Sequence, residues 1–415
     1  MKKLTQLTLL LSVLFVGCSK NENLKEKDAP ATISTVYSVM SYPQNPYPGN
    51  LVFGASAGAG GGISSFESDL RAHGANPEFR FGGIRSYLKY DSDFDTDLLP
   101  YTPLQQGAAG RQYIPLISLR TKKGTTGTHV LYPEVWAGAN DANWKKQFDQ
   151  IATQYGTKGS PVSGPAGNKA YPVILTFNHE FDLGSESGDA YDPNNSLTRG
   201  QQFSKAFRYV QNLQRSYKLG LNVKWTWIPT AYSVKKYTGS GMNPMFEYWP
   251  SRNTDGTGGS VDDGTPNLSN VSRVDIMGCD AYMNDFVFAE AVNYGGINGK
   301  GSFINMTNSV GTAGLPWLLG EYGVDERCGD ANWKKNTFNT MMSNLNTADY
   351  QQCVWISIWP TASTNNDNRW DSGPKNSGSC SYGTPNPDGI SALGFTSNIQ
   401  VGVSLPGGRP NIFGL

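Results

Sequence analysis

The chain has 415 residues, enough for one large α/β barrel or for two ordinary domains. It carries 34 basic and 34 acidic residues, and no more than two basic residues stand side by side, so nucleic acid is not expected as a partner. Aromatic residues are plentiful, with 10 Trp, 21 Tyr and 18 Phe, and they suit either core packing or stacking on the flat faces of sugar rings.

The N-terminus has the pattern of an export signal. Two lysines precede the apolar run Leu4–Val16, which is short for a membrane span, and a glycine then precedes Cys18. A small residue followed by cysteine resembles a bacterial lipobox. We expect a lipoprotein signal peptide and lipobox at 1–18, with Cys18 lipidated, a flexible polar tether at 19–36 and one folded domain at 37–415. The protein is then expected at the outer membrane or cell surface, touching the membrane through its lipid anchor only.

Apolar runs alternate with helical patterns along the rest of the chain. The runs predict eight strands, at Leu51–Ala55, Glu78–Arg85, Tyr113–Leu119, Val173–Asn178, Val223–Ile228, Val274–Asp280, Trp317–Gly320 and Cys353–Trp359. Helices are predicted from Ser64, and at Asn143–Tyr155, Gln201–Tyr217 and Trp333–Leu345. This alternation predicts a (β/α)8 TIM barrel with long loops at its C-terminal face. An open doubly wound sheet is the alternative, but its glycine fingerprint is missing.

Two glutamates each end a strongly apolar run, one spanning Tyr171–Glu180 and the other Leu315–Glu321. A carboxylate at the C-terminal end of a barrel strand lies where such barrels keep their chemistry. Two carboxyl groups can act as acid and nucleophile on one glycosidic bond. The alternative is that one or both glutamates only cap the following helix.

The motifs around these glutamates resemble glycoside hydrolase family 26. Asn-His-Glu180 after strand four and Gly-Glu321-Tyr-Gly after strand seven carry the resemblance, together with Glu247-Tyr-Trp-Pro and a strand that ends Gly-Cys-Asp-Ala-Tyr282. The resemblance implies that Glu180 is the general acid and base and that Glu321 is the nucleophile. It also implies that Tyr282 hydrogen-bonds the nucleophile and that His179 contacts the sugar under attack, although a packed structural histidine is a comparable alternative.

Four further residues are expected at the substrate site. Asp280 belongs to the strand-six motif, and Arg85, at the predicted end of strand two, could hold Glu321 or a sugar hydroxyl, or form a structural salt bridge. Trp227 and Trp359 are predicted as stacking platforms, with core packing as the alternative. The cysteines outside the signal leave three disulfide pairings open; Cys328 with Cys380 is favoured, because Cys279 and Cys353 fall in apolar strands.

The sequence thus predicts a monomeric, retaining, endo-acting β-glycoside hydrolase that needs no metal or cofactor. Its partner is expected to be a β-linked polysaccharide or oligosaccharide of mannan, glucan or xylan type. Phe177 and the Phe181-Asp182 pair depart from the family's mannan-cleaving pattern, and we expect both departures to lie beside the site. The alternative function is a non-catalytic, glycan-binding surface lipoprotein on the same barrel.

Overall fold

The structure of the protein is a computed structural model. It describes residues 38–39, 51–56, 81–91, 114–124, 127–163, 167–182, 190–231, 233, 248–250, 274–282, 316–323, 352–358 and 403–404. The barrel lies in a compact unit that spans Val36–Leu415, whereas Met1–Thr35 form a separate unit with no described residue. Cys18, Cys328, Trp359 and Cys380 therefore lie outside the described residues, as do the predicted helices from Ser64 and at Trp333–Leu345, and the predicted domain boundaries stay a prediction.

Eight parallel strands close into a barrel, which confirms the predicted fold class. The strands are β1 Val52–Ser56, β2 Gly83–Leu88, β3 Ile114–Leu119, β4 Val173–Phe177, β5 Val223–Trp227, β6 Ile276–Tyr282, β7 Trp317–Gly323 and β8 Cys353–Ile358. The barrel closes where Val52 of β1 pairs with Trp355 of β8. Outside it, Ser38–Val39 and Val403–Ser404 form a two-residue antiparallel pair.

Strand β2 differs from its prediction. It was predicted at Glu78–Arg85 but runs from Gly83 to Leu88, so Arg85 lies inside the strand rather than at its end. The ladder to β3 decides these limits, because pairing starts at Gly83 with Ile114 and continues to Leu88. The apolar residues before Gly83 suggested an earlier start of the strand. The polar Ser86 interrupts the apolar run, so the continuation of the strand to Leu88 was not predicted.

Three helices are described: α1 Tyr132–Trp136, α2 Asp141–Tyr155 and α3 Arg199–Tyr217. Helix α3 begins at a capping box, in which the Thr198 hydroxyl accepts from the Gln201 backbone N–H at 3.3 Å while the Gln201 side chain accepts from the Thr198 N–H at 2.9 Å. Helix α1 was not predicted, because five residues are too few to show a period. No helix among the described residues is long and apolar enough to span a membrane.

Strand alternation divides the buried residues into two cores. The first fills the barrel interior and contains Val52, Ile114, Leu116, Ile174, Ile228, Ile276, Leu318, Val354 and Trp355. Trp355 lies over Gly83, where an added Cβ would come within 2.1 Å of the indole ring. The second core joins the outward faces of the strands to α2 and α3, as when Phe177 of β4 meets Trp144 and Phe203 at ring distances of 6.0 and 6.1 Å.

Candidate active site

A sharp turn at the end of β4 carries the first glutamate. Asn178 and Glu180 have positive φ angles of 42° and 52°, a left-handed conformation that asparagine tolerates and that is uncommon for glutamate. The Asn178 side chain accepts from the Thr121 N–H and donates to the Thr121 hydroxyl, both at 2.9 Å. On the other side, the Glu180 N–H donates to the Ile228 carbonyl at 2.8 Å. The residues that follow β3 and β5 therefore hold this turn between them.

An irregularity in β7 turns the second glutamate into the barrel. Cys279 of β6 pairs with Leu319, but the next residue, Asp280, pairs with Glu321, so Gly320 is an extra residue. Leu318 points into the barrel core, and strict alternation would point Glu321 outward. The extra residue shifts this alternation by one position, so that Glu321 points into the barrel. A Cβ on Gly320 would lie 2.5 Å from Asp280 Oδ1, so only glycine allows the Asp280 carboxylate to approach the bulge this closely.

Glu321 lies among three polar side chains. Its Oε1 accepts a hydrogen bond from the Tyr87 hydroxyl and lies 3.9 Å from Arg85 Nε and 3.7 Å from His179 Nε2. The residue is only 4% exposed. The Tyr87 hydroxyl and the Arg85 guanidinium therefore orient one oxygen of this carboxylate.

Arg85 joins the second buried carboxylate to this group. It is 0% exposed, its Nη2 lies 4.0 Å from Asp280 Oδ2, and its guanidinium lies over the Tyr87 ring at 4.6 Å. Arg85 and Tyr87 alternate on β2 and so share the inward face. One arginine thus lies within 4.0 Å of two carboxyl groups that belong to adjacent strands.

Glu180 lies in an environment that favours its protonated form. Burial of the carboxyl group and the neighbouring negative charges of Glu321 and Asp182 raise the pKa of Glu180 to about 8, against the opposing effect of Arg85 and Arg120. The group is therefore protonated at neutral pH, as a general acid must be.

The other ionisable groups are shifted toward their neutral forms. Burial, followed by the charge of Glu321, raises the pKa of Asp280 well above its ordinary value. Burial, with Arg85 and Arg120, holds the pKa of His179 well below its ordinary value, so the imidazole is neutral and its approach to Glu321 is not an ion pair. Burial also raises the pKa of Tyr87, which keeps its hydroxyl proton available for donation.

His179, Asp280 and Glu321 could in principle hold a cation, because their ligand atoms lie within 4.8 Å of one another. The Arg85 guanidinium, however, already brings a positive charge to 3.9 Å from Glu321 and 4.0 Å from Asp280. A divalent ion in the same place would be repelled by it. We therefore assign the compensating charge in this cluster to Arg85.

The structure brings five predicted site residues into one electrostatic cluster: Arg85, His179, Glu180, Asp280 and Glu321. Tyr282 is in its predicted element as the last residue of β6, opposite Gly323, but its side chain is not described.

Trp227 has a different position. It is 0% exposed and faces the outer core, where its ring lies 5.0 Å from Phe181 and 5.1 Å from Trp249. Its Nε1 donates to the Tyr248 carbonyl at 3.0 Å. The side chain is covered by other aromatic residues, so the structure favours the core-packing alternative for Trp227 over a role as a sugar platform.

The two departures from the family pattern are also placed differently from expectation. Phe177 points outward into the second core, and Phe181 stacks on Phe203 at 4.1 Å. The prediction that both departures lie beside the site is wrong for these phenylalanines, because strand alternation and the turn direct them to the helices. Asp182 does stay at the barrel mouth, where its carboxylate accepts from the Thr230 N–H at 3.0 Å.

Sequence reasoning missed Tyr87 and Arg120. Tyr87 shares a face with Arg85 at a spacing of two, but the predicted end of β2 left it in a loop. Arg120 directly follows β3, at a spacing of two from Ser118, and its charge acts on Glu180 and His179. In both cases every second residue of the strand faces inward, and continuing that series by one more position would have predicted the residue.

No protein-family model matches the chain, and no curated protein sequence matches it. Solved structures do. The catalytic domain of a GH26 endo-β-1,4-mannanase from Bacillus sp. JAMB-750 is 13% identical, with a TM-score of 0.50 over 83% of this chain and 85% of that one. GH26C from Muricauda sp. MAR_2010_75 is 15% identical, with a TM-score of 0.47 over 87% and 90% of the two chains. A Cellulomonas fimi endo-β-1,4-mannanase double mutant is 12% identical, with a TM-score of 0.47 over 84% and 72%. At 13% identity the first match concerns the fold, and it confirms that this barrel is like that of glycoside hydrolase family 26.

Proposed function

We propose that the protein is a retaining, endo-acting β-glycoside hydrolase in which Glu180 is the acid/base and Glu321 is the nucleophile. One observation carries the proposal: two carboxyl groups at the mouth of one barrel have different surroundings. Glu321 accepts from Tyr87 beside Arg85, whereas burial and neighbouring charge raise the pKa of Glu180 to about 8. Glu180 therefore keeps a proton that it can donate, and Glu321 is the candidate nucleophile beside it.

The chemistry follows from these environments. Glu321 attacks the anomeric carbon while Glu180 donates its proton to the glycosidic oxygen, which leaves as an alcohol. Glu180, now ionised, takes a proton from water, and the resulting hydroxide displaces Glu321 from the sugar. The second step therefore returns both carboxyl groups to their starting states. Tyr87 and Arg85 orient the nucleophile, and the neutral His179 lies beside it at 3.7 Å, where a sugar hydroxyl can meet it.

The substrate is proposed to be a β-linked polysaccharide. β-Mannan heads the series to be tested because the similar barrel from Bacillus sp. JAMB-750 is an endo-β-1,4-mannanase. β-1,4-Glucan, β-1,3-glucan, xylan and red-algal galactans complete it. Endo action predicts a ladder of oligosaccharides early in the reaction, whereas exo action releases one product size from the start.

The decisive experiment compares Glu180→Gln and Glu321→Gln with Glu134→Gln, a control at an exposed glutamate on α1. We expect products from one polymer with the native protein and the control, and none with either site variant. Retained turnover in Glu321→Gln contradicts the assignment. Binding to one polymer with no product from any of them indicates the glycan-binding function instead.

The stereochemistry can be tested separately with an activated aryl β-glycoside. Its leaving group needs no proton, so Glu180→Ala should still form the glycosyl-enzyme, and added azide should restore turnover and give a β-glycosyl azide. In Glu321→Ala, azide should take the place of the missing nucleophile, attack the anomeric carbon from the face opposite the leaving group and give the α-azide. The same product configuration from both variants contradicts the two roles.

We also propose that the protein is an exported, monomeric lipoprotein anchored through Cys18. The basis is the N-terminal pattern of two lysines, a short apolar run and glycine-cysteine. Metabolic labelling with a fatty acid should mark the native protein but not Cys18→Ala, and light scattering on the domain from about residue 30 measures its mass. Unlabelled native protein in a bacterial host that lipidates other proteins would count against the anchor.

A further inference from the structure

Asp182 lies two residues after the proposed acid/base and is bound to the chain beyond β5. Its carboxylate accepts from the Thr230 backbone N–H at 3.0 Å and from the Thr230 hydroxyl at 2.5 Å. The same hydroxyl accepts from the Ser233 N–H at 3.2 Å, and both Thr230 and Ser233 are buried. The carboxylate therefore accepts hydrogen bonds from two donors of one buried residue.

These bonds connect the acid/base turn to the rest of the site. Glu180 donates its N–H to the Ile228 carbonyl at 2.8 Å, so the turn is fastened to the same segment at two points. Thr230 also forms a parallel bridge with Asp280, whose N–H donates to the Pro229 carbonyl at 2.9 Å. The segment after β5 thus holds the end of β4 on one side and the end of β6 on the other.

Asp182 also acts on Glu180 through its charge. The charged groups that face Glu180 are Glu321 from β7, Asp280 from β6, Asp182 from its own turn, Arg85 from β2 and Arg120 from the end of β3. Burial raises the pKa of Asp182 itself, and the hydrogen bonds from Ser233 and Thr230 oppose that rise. These donors favour the ionised form of Asp182, which repels an ionised Glu180.

We propose that Asp182 is a positioning residue for the acid/base, which fixes the Glu180 turn to the end of β5 and presents a second carboxylate within that turn. This inference rests on the proposed hydrolase function. It adds to the two catalytic carboxyl groups a third one that acts through Glu180.

The charge and the positioning are tested by different variants. Asp182→Asn removes the charge and keeps the shape, so Glu180 should lose its proton at lower pH. We expect the alkaline limb of kcat/KM to move down by about half a pH unit to one unit.

Thr230→Val removes the hydroxyl donor, whereas Thr230→Ser keeps it. We expect kcat to fall about tenfold in Thr230→Val, the equivalent of one charged hydrogen bond, with KM little changed, and to stay near native in Thr230→Ser.

A titration independent of activity separates this inference from the proposed function. The Glu180 carboxyl is followed by carbon-13 NMR in protein labelled at glutamate, with Glu180→Gln identifying its signal. A titration midpoint that moves down in Asp182→Asn supports the proposal even if the native protein hydrolyses no polymer, in which case only the hydrolase function fails. An unmoved midpoint overturns it, even where Asp182→Asn lowers the melting temperature. Equal kcat in Thr230→Val and Thr230→Ser overturns the positioning role.

Discussion

Arg85 is expected to be the residue on which the stability of the site depends most. Its guanidinium is 0% exposed and faces Asp280 at 4.0 Å and Glu321 at 3.9 Å. Replacing it with methionine keeps most of the side-chain volume but leaves two buried carboxyl groups without a nearby positive charge. Removing one partner of a buried ion pair costs about 3–5 kcal/mol, so we expect Arg85→Met to lower the free energy of unfolding by that amount at pH 8.

The pH dependence identifies the cause. Loss of Arg85 removes an effect that lowers the pKa of Asp280, so this pKa, already raised by burial, rises further. A carboxyl group whose pKa is higher in the folded than in the unfolded protein destabilises the fold as pH rises, and the penalty disappears as the pH falls and the group binds its proton. The difference between Arg85→Met and the native protein should therefore be largest at pH 8 and shrink toward pH 5.

Urea unfolding followed by tryptophan fluorescence at pH 5, 6.5 and 8 measures this difference. Arg85→Lys is the matched control, because it keeps a positive charge and loses the planar fork, and we expect it to show little pH dependence. A deficit in Arg85→Met that is equal at all three pH values refutes the reasoning, since lost packing alone would produce it.

Three further predictions concern the site. The alkaline limb of kcat/KM in the native protein should fall near pH 8, where Glu180 loses its proton, and a limb unaffected up to pH 9 would exclude Glu180 as the acid. Tyr87→Phe removes the donor to Glu321 and should lower kcat/KM about 10- to 100-fold with the fold intact by circular dichroism; unchanged kinetics would show that this bond is dispensable. Gly320→Ala places a Cβ 2.5 Å from Asp280 Oδ1 and should cost about 1–3 kcal/mol of unfolding free energy as well as activity; a neutral result would mean that the bulge relaxes easily.

Much of the fold could be predicted because buried parallel strands are short, apolar and regularly spaced. β4 shows this well, since its prediction at Val173–Asn178 differs by one residue from Val173–Phe177. The limits of β2 were harder to predict, because Gly83 pairs within the ladder although glycine is disfavoured in strands. Trp227 was predicted as a stacking platform because it lies near the end of its strand, but its side chain faces outward, and a position near a strand's end says nothing about which face a residue occupies.

The orientation of the nucleophile could not be predicted from the sequence period. On β7, Leu318 faces the barrel core and Glu321 follows three residues later, so a regular strand would put the two side chains on opposite faces. The register skips Gly320 on the β6 side and shifts again between Leu319 and Tyr322 on the β8 side. A bulge of this kind depends on pairing with both neighbours, and its only trace in the sequence is the glycine before the glutamate.

The inward positions of the strands explain why the chemistry lies where it does. On β3 they run Ile114, Leu116 and Ser118, and on β6 they run Ile276, Gly278 and Asp280. In both strands an apolar residue comes first and the polar one last. The apolar layer around Trp355 fills the barrel beneath the carboxyl groups and excludes water. The carboxyl groups therefore lie in surroundings of low polarity, which strengthen their mutual repulsion and their attraction to Arg85. The packing that stabilises the barrel therefore also raises the pKa of Glu180, and a cavity made beneath it would be expected to weaken that effect as well as the fold.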